Sequence, residues 1–271
     1  MGSINLYLRD NSCVISMGSC GTTVTVGIRD DGTEVAVKRI VKCYAQLIRN
    51  ELGSLRRPDI DHPNIIRYRD YVEDASFAYL ALELCESTLE EHVHYLASKD
   101  LLQQYKQRLC HQYLEGLAAL HRANILHMDL KPRNVLIDLK GNVKLADFGL
   151  SHRLNESQNT YYHATMNGTK CWRPPETLRM APGAMNRYKQ SSDVYVSGLI
   201  LYYIVTGGRH PFGNDANTCE LNIQRGMLPY TVGINDTVFI DLLYCMLNPD
   251  MNKRIPASDA LMYDFVVVDF S

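Results

Sequence analysis

The 271-residue chain contains no apolar run approaching the roughly 20 residues of a membrane span, so no span is expected within it. Its opening, MGSINLYLRD, lacks the apolar core of a signal peptide, and Leu6 breaks the myristoylation pattern. Charge of one sign is also missing: 28 Lys and Arg stand against 30 Asp and Glu, a formal net charge of −2. That balance leaves no electrostatic footprint for gripping nucleic acid or an anionic membrane, and neither contact is expected of this chain. There is no Cys-x-x-Cys pair. The eight cysteines (Cys13, Cys20, Cys43, Cys85, Cys110, Cys171, Cys219 and Cys245) are scattered. This spacing argues against a disulfide framework or a zinc site and for reduced thiols in a cytosol-like compartment. The sequons at Asn155, Asn167 and Asn235 are then chance matches. Internal repeats and low-complexity tracts are absent too. What remains is ordinary globular material, 46 % hydrophobic and 21 % charged, long enough for one large domain or two closely joined lobes.

The hydrophobic pattern changes character along the chain. GTTVTVG and TEVAVKRI cluster β-branched residues around RDDGT, a hairpin signature. YAQLIRNELGSLRR then has helical spacing, and IIRYRDYVE and FAYLALELC return to strand character. From about residue 88 helices dominate: TLEEHVHYLA, the long LLQQYKQRLCHQYLEGLAALHRA, and DVYVSGLILYYIVTGG, which is apolar nearly all round and so expected to be buried. Two short strands, NVLIDL and NVKLAD, flank a KGN turn. The stretch from about Gly149 to Pro175, rich in Ser, Thr, Asn and Tyr, reads as a functional loop. The expectation is an α+β chain with a small strand-rich lobe over about residues 1–84, a connection at about 83–87, and a larger helical lobe over about 88–271.

Several residues carry chemistry. On a helix Glu51 shares the apolar face of Leu47 and Leu55, where a charge needs a partner, and Lys38 at the end of a strand is the candidate. In ISMGSCGTTVTVG, Gly18 and Gly21 can form a turn whose N–H groups approach phosphates, although a plain hairpin turn explains them equally well alone. The strongest cluster is Asp129, Lys131 and Asn134, followed by Asp147-Phe148-Gly149. The KGN turn brings Asn134 and Asp147 to the same end of a hairpin, where an amide and a carboxylate suit Mg²⁺ with phosphate oxygens. Asp129 is left to accept a proton, and Lys131 to neutralise a moving phosphoryl group.

Taken in order, SMGSCG, VAVK, Glu51, HMDLKPRN, DFG, PPE and Asp193 resemble the eukaryotic protein kinases over essentially the whole length. HPNIIRY, ELCESTLEEHV and HPFG are similar to the kinase domain of the inositol-requiring kinase–endoribonuclease and ribonuclease L group. The resemblance implies the bilobal kinase fold, ATP and Mg²⁺ as cofactors, and a protein substrate offering Ser or Thr. It implies that Ile15, Ser16, Met17, Gly18, Ser19 and Gly21 form the glycine-rich loop, with Ile15, Val24, Ala36 and Leu136 sandwiching adenine. Leu82 would be the gatekeeper, and Glu83 and Cys85 would offer backbone groups. Lys38, held by Glu51, would grip the phosphates, Asn134 and Asp147 would hold Mg²⁺, and Asp129 would deprotonate the acceptor hydroxyl. Lys131 and Thr169 match the serine/threonine branch. Glu176 and Arg254 match a scaffold ion pair, and Asp193 a brace of the catalytic loop. Relatives in that group carry a nuclease extension after the kinase lobe; this chain ends at Ser271, and no nuclease activity is expected of it.

Two positions depart from the pattern. Ser16 replaces the first glycine of the loop, a small change. Met128 stands where many kinases have an arginine that pairs with a phosphate on the activation segment, and methionine cannot make that pair. The loss concerns regulation rather than phosphate transfer. Ser151, Ser157, Thr160, Tyr161, Tyr162 and Thr165 are candidate phosphorylation positions, with Arg153 or Lys170 as alternative receivers. A second reading, a nucleotide-binding pseudokinase acting as a dimerising or scaffolding module, rests on Met128 and Ser16 and makes a homodimer one of its partners. Cys20 and Cys85 near the ATP cleft have no neighbouring cations and read as ordinary small side chains.

Overall fold

The computed structural model describes residues 4–6, 14–17, 21–155, 157–163, 168–178 and 185–267. Gly18, Ser19, Cys20 and Thr165 lie outside the described residues. The fold is α+β, with a β-sheet lobe followed by a mainly helical one.

The first lobe is an antiparallel sheet of β1 (Ile4–Leu6), β2 (Val14–Met17), β3 (Thr23–Arg29), β4 (Glu34–Val41), β5 (Tyr68–Glu73) and β6 (Phe77–Glu83). The order is β1-β3-β4-β6-β5, with β2 also on β3. The β3–β4 hairpin turns where the sequence places RDDGT: Arg29 N–H donates to the Thr33 carbonyl (2.9 Å), and Gly32 takes φ +81°, which a glycine adopts without strain. Period-two alternation on β4 buries Val35 and Val37 on one face and aims Ala36 and Lys38 at the other. Register sets Val24 opposite Lys38, Leu82 opposite Ala36 and Leu80 opposite Lys38. One sheet face therefore presents this patch to the cleft. Helix α1 (Ala45–Leu55) packs Ile48, Leu52 and Leu55 into the core shared with Ile40 and Leu80.

Beyond β7 (Ser87–Thr88) come α2 (Leu89–Ser98), α3 (Leu102–Arg122), β8 (Ile125–Leu126), β9 (Val135–Ile137), β10 (Val143–Leu145), β11 (His152–Arg153) and β12 (Tyr161–His163). Then follow α4 (Pro175–Leu178), β13 (Asn186–Tyr188), α5 (Gln190–Val205), α6 (Ala216–Arg225), α7 (Thr237–Met246) and α8 (Ala257–Ala260). Helix α2 opens with a capping box, Thr88 accepting from the Glu91 amide while Glu91 accepts from the Thr88 amide. Helix α5 is buried from Ser192 to Val205, and its Ser197 hydroxyl is satisfied internally: Ser197 Oγ meets Tyr113 Oη at 2.9 Å and donates to the Asp193 carbonyl.

Two links, one behind the cleft and one at its front, set one lobe on the other. Leu145 N–H donates to the Asn64 carbonyl (2.8 Å), Ile66 N–H to the Leu145 carbonyl (2.9 Å), and the Asn64 amide to the Val143 carbonyl (2.9 Å). At the front, Glu86 N–H donates to the Ile137 carbonyl (2.8 Å). Gly116 on α3 is required beneath the first link, because a Cβ there would lie 2.7 Å from the Asn64 carbonyl oxygen.

Candidate active site

Lys38 reaches from β4 across the cleft. Its Nζ lies 2.7 Å from Glu51 Oε2 and 2.8 Å from Asp147 Oδ1. Glu51 is wholly buried (0 % exposed), as its place on the apolar face of α1 requires, and its second oxygen accepts the Phe148 N–H at 3.4 Å. The electrostatics follow from that burial. Desolvation depresses the Lys38 pKa, but Glu51 and Asp147 outweigh it and hold the ammonium above its ordinary value. Burial raises the Glu51 carboxyl and Lys38 only partly offsets it, so its pKa stays high. For Asp147 burial also raises the pKa, yet the Lys38 charge and hydrogen bond bring it below the usual carboxylate value. Asp147 adopts left-handed φ +63°, uncommon for a residue with a Cβ. That turn separates its carboxylate, 44 % exposed in the cleft, from the Phe148 ring, which is buried against His127 at 4.9 Å between centroids.

The loop of residues 127–134 holds a second carboxylate from both sides. Asp129 Oδ2 accepts from Lys131 Nζ and from the Asn134 amide, each at 2.9 Å. Its Oδ1 accepts from the Thr169 hydroxyl at 2.8 Å, and Lys131 Nζ also donates to Thr169 Oγ1 at 2.7 Å. Because the Asn134 amide donates to both the Asp129 carbonyl (2.7 Å) and its carboxylate, the Asn134 oxygen is turned outward as an acceptor. Asp193, at the start of α5, braces this loop from below. It accepts from the His127 N–H (2.8 Å), the Met128 N–H (3.1 Å) and the Tyr188 hydroxyl (2.7 Å), with His121 Nε2 at 3.4 Å. Burial raises its pKa, but the bonds and charges of His121 and His127 win, and it is held below the ordinary value.

At the far side of the cleft Leu82 is buried, while Val24, Ala36, Leu136 and Cys85 are half-buried around the space beneath the sheet. Ser16 pairs with Val24 across β2 and β3; Ile15 and Met17 on β2 are exposed, and Gly21 precedes β3 at φ +69°. Glu83 donates its N–H to the Arg67 carbonyl (3.0 Å) and its carboxylate meets Lys144 Nζ at 2.9 Å, with Asp138 at 3.8 Å from the same ammonium. Burial, then the Glu83 charge, pushes the Cys85 thiol up to about 12. It is an inert neighbour of the cleft.

A lysine pinned between two acids, a carboxylate held open toward a hydroxyl, and an outward Asn–Asp pair face one cleft. A family model described as the protein kinase domain matches residues 11–266. The chain belongs to the protein kinase family. The kinase domain is 34 % identical, over 98 % of its length, to the human serine/threonine-protein kinase/endoribonuclease IRE2. It is also 34 % identical over 94 % to the Caenorhabditis elegans serine/threonine-protein kinase/endoribonuclease ire-1, and 33 % identical over 79 % to the Schizosaccharomyces pombe sensor for unfolded proteins in the ER, ire1. The chain spans 29 %, 27 % and 22 % of these relatives' lengths. Protein kinases as a family use ATP with Mg²⁺.

Among the described residues, the stretch after Gly149 carries more regular structure than its composition suggests. The stretch after Gly149 reads as loop, yet β11 pairs with β8 and β12 pairs with β13. The local signal for the second of these strands is TYYH, an aromatic run with strand propensity. Met128 lies at the centre. It is 3 % exposed, with backbone φ +67°, and packs with Leu126, Leu154 and Tyr188 against Leu150 and Tyr161. His152 stacks on Tyr161 at 3.7 Å, and Tyr161 on His163 at 5.4 Å. Ser151 Oγ donates to the Phe148 carbonyl (2.7 Å) and contacts Ser54 Oγ; Thr160 Oγ1 donates to Asn159 (2.8 Å). Of the alternative phosphate receivers, Arg153 lies 3.9 Å from Asp59 and Lys170 donates to Asn217. Glu176 and Arg254 form a two-pronged ion pair at 2.8 Å, the arginine side chain fully buried. His121, His127, Lys144 and Tyr188 are contributors the sequence reading missed. His121, His127 and Lys144 act on residues far away in the chain, and Tyr188, though only five residues from Asp193, is brought to it by the pairing of β13 with β12.

Proposed function

We propose that this kinase domain is catalytically competent and transfers the γ-phosphate of ATP to a Ser or Thr hydroxyl on a protein, including its own. The observation that carries the reading is Asp129, whose two oxygens are aimed by Lys131, Asn134 and Thr169 although Met128 replaces the arginine beside it. The Thr169 hydroxyl sits against Asp129 Oδ1 at hydrogen-bond distance, the relation an incoming acceptor hydroxyl needs to a general base. Lys131 is placed to neutralise charge on the moving phosphoryl group, and Lys38, kept protonated by Glu51 and Asp147, to hold the non-transferred phosphates.

The outward Asn134 oxygen and the cleft-facing Asp147 carboxylate fit Mg²⁺, which prefers few protein ligands completed by phosphate oxygens. Held there, the ion would supply charge neutralisation to the phosphates. Leu82, Val24, Ala36 and Leu136 supply the apolar walls for adenine, with Glu83 and Cys85 offering backbone groups. The reading treats residues 11–266 as one kinase unit and assigns no ribonuclease chemistry to them. Six unpaired thiols among the described residues, together with ATP chemistry, fit the cytosol or the cytosolic portion of a larger protein.

A second reading, a nucleotide-binding pseudokinase serving as a dimerising module, is favoured by one contact. Lys38 occupies one oxygen of Asp147, the carboxylate that would hold the metal. Transfer of labelled γ-phosphate from Mg·ATP to the protein and to a generic Ser/Thr substrate decides between the two, run beside Asp129→Asn with the thermal shift caused by ATP. Transfer in the parent and none in a variant that still binds ATP is expected. ATP binding in both with transfer in neither assigns the chain to the second reading.

A further inference from the structure

The two-stranded ribbon of β12 and β13 sorts its residues onto two faces. Tyr162 stands opposite Arg187, and His163 opposite Asn186. His163, Asn186 and Tyr188 are buried, while Tyr162 and Arg187 are exposed. Carrying the register one step further sets Thr160 opposite Lys189, on the outer face with Tyr162 and Arg187. That face therefore sets two hydroxyl-bearing residues against two cations. Neither Arg187 nor Lys189 has an ion-pair partner among the described residues. A cavity of about 240 Å³ opens beside Thr160, and Gln158, Asn159, Lys189 and Ser191 are among its lining groups. The Ser191 hydroxyl oxygen is buried and has no hydrogen-bond partner among the described residues, which leaves a donor without an acceptor. Thr160 Oγ1 donates to its neighbour Asn159 (2.8 Å), so the hydroxyl is held at the edge of this cavity.

We propose that Lys189 and Arg187 form a phosphate-receiving site, and that the phosphate they hold is a monoester on Thr160. The receivers named from sequence are engaged elsewhere: Arg153 lies against Asp59 and Lys170 donates to Asn217. On one face of an antiparallel pair, opposite residues lie about 5 Å apart at Cβ and diagonal ones about 7–8 Å, within reach of long side chains. A phosphate on Thr160 thus meets Lys189 directly and Arg187 across the diagonal. Its three free oxygens, sharing nearly two charges, give each cation an acceptor and leave one for the Ser191 hydroxyl. Lys189 also caps α5, whose first-turn N–H groups and dipole favour an anion at this end. The held phosphate fastens β12 to β13 and to the start of α5, the helix whose Asp193 braces the catalytic loop. In the transfer that installs it, the Thr160 oxygen bonds to the γ-phosphorus of ATP as the bond to the ADP oxygen breaks. ADP departs, and the hydroxyl proton passes to the general base of the acting copy, Asp129.

The donor of the phosphate rests on the kinase reading; the receiving site does not. The test therefore installs phosphothreonine at position 160 of the full chain during its synthesis, and follows that phosphate by ³¹P NMR as pH is varied. A free monoester loses its second proton at about pH 6. Here the loss is expected about 1 pH unit lower, because two nearby cations favour the dianion. Lys189→Gln and Arg187→Gln should each move it back toward the free value, and Lys189→Arg should keep it low. The thermal midpoint should rise on phosphorylation in the parent and not in Lys189→Gln. A second ionisation that is the same in the parent, both Gln variants and a short peptide of the same sequence overturns the proposal, whatever the midpoint does. A chain that transfers no phosphate from Mg·ATP to itself or to a generic acceptor, yet holds the installed phosphate as described, overturns the kinase reading and leaves the receiving site standing.

Discussion

At position 128 one side chain changes how a whole segment is held. An arginine there would present five N–H donors to whatever phosphate or carboxylate is near. The carboxylate that accepts this residue's own backbone amide, Asp193, is already occupied by His127, Met128, Tyr188 and His121. The side chain's actual surroundings are Leu126, Leu154, Tyr188, Leu150 and Tyr161. Methionine is suited to that irregular apolar space, and packing takes over a role that ion pairing fills elsewhere. Met128→Arg is therefore expected to destabilise the fold rather than install a phosphate receiver. The cost of a guanidinium without a buried partner is about 3 kcal/mol or more, read as a lower urea midpoint. A variant as stable as the parent, whose activity rises when Thr160 is phosphorylated, would refute this account of the cluster.

Among the elements, strand β10 carries Lys144 between Val143 and Leu145. All three are buried, because α3 and the Asn64 loop cover one face and the lobe connection covers the other. Lys144 is thereby driven onto Glu83 and Asp138 and fixes the connection from beneath. Lys38, Glu51 and Asp147 were legible because each sits in its own local pattern, a strand end, an apolar helix face and a hairpin end. Lys144 with Glu83 and Arg133 with Glu90 were not, since each pair is made only by tertiary packing between segments distant in the chain. The activation segment hid its strands for the same reason: β11 and β12 exist only because β8 and β13 are there to pair with. Lys144→Met keeps the stem but strands the Glu83 carboxylate. The expected loss is about 1–3 kcal/mol, the cost of leaving a buried polar group without its partner. Amide exchange at Glu86, whose N–H is given to Ile137, should accelerate, and Glu83→Gln in the same chain should restore part of the stability. Unchanged exchange at Glu86 would show that the ion pair does not hold the connection.

Across the whole molecule, burial of titratable groups sets a pH dependence whose sign can be worked out. Burial lowers the pKa of His62, His92, His152 and His210 below 6.5, His210 to about 4. As pH falls from 6.5 the unfolded chain takes up protons that the folded chain refuses, so this stability is fully present above pH 6.5 and is lost toward pH 4. Asp147, Asp193 and Asp138 have folded values below 3.8, so their contribution is present above that value and disappears in a second, more acidic limb. Glu51 acts in the opposite sense: its folded pKa is raised, so its ionisation costs stability as pH rises past 4.5, and acid relieves that cost. Four histidines outnumber it across the upper window, so the urea midpoint is expected to fall steadily between pH 6.5 and pH 4. His210→Gln should flatten that upper limb selectively, because the variant removes the most depressed of the four, while the limb below pH 4 stays as in the parent. Lys38 adds a third feature at the other extreme. Its raised value makes its contribution complete below 10.5 and lost only as pH climbs through the folded pKa, so no alkaline weakening from this site is expected near neutrality. A midpoint that stays level from pH 7 to pH 4.5, in parent and His210→Gln alike, would mean that these imidazoles are hydrated in solution and that the packing around Trp172, His210 and Phe212 is looser than the ring contacts of 5.2 and 6.1 Å describe.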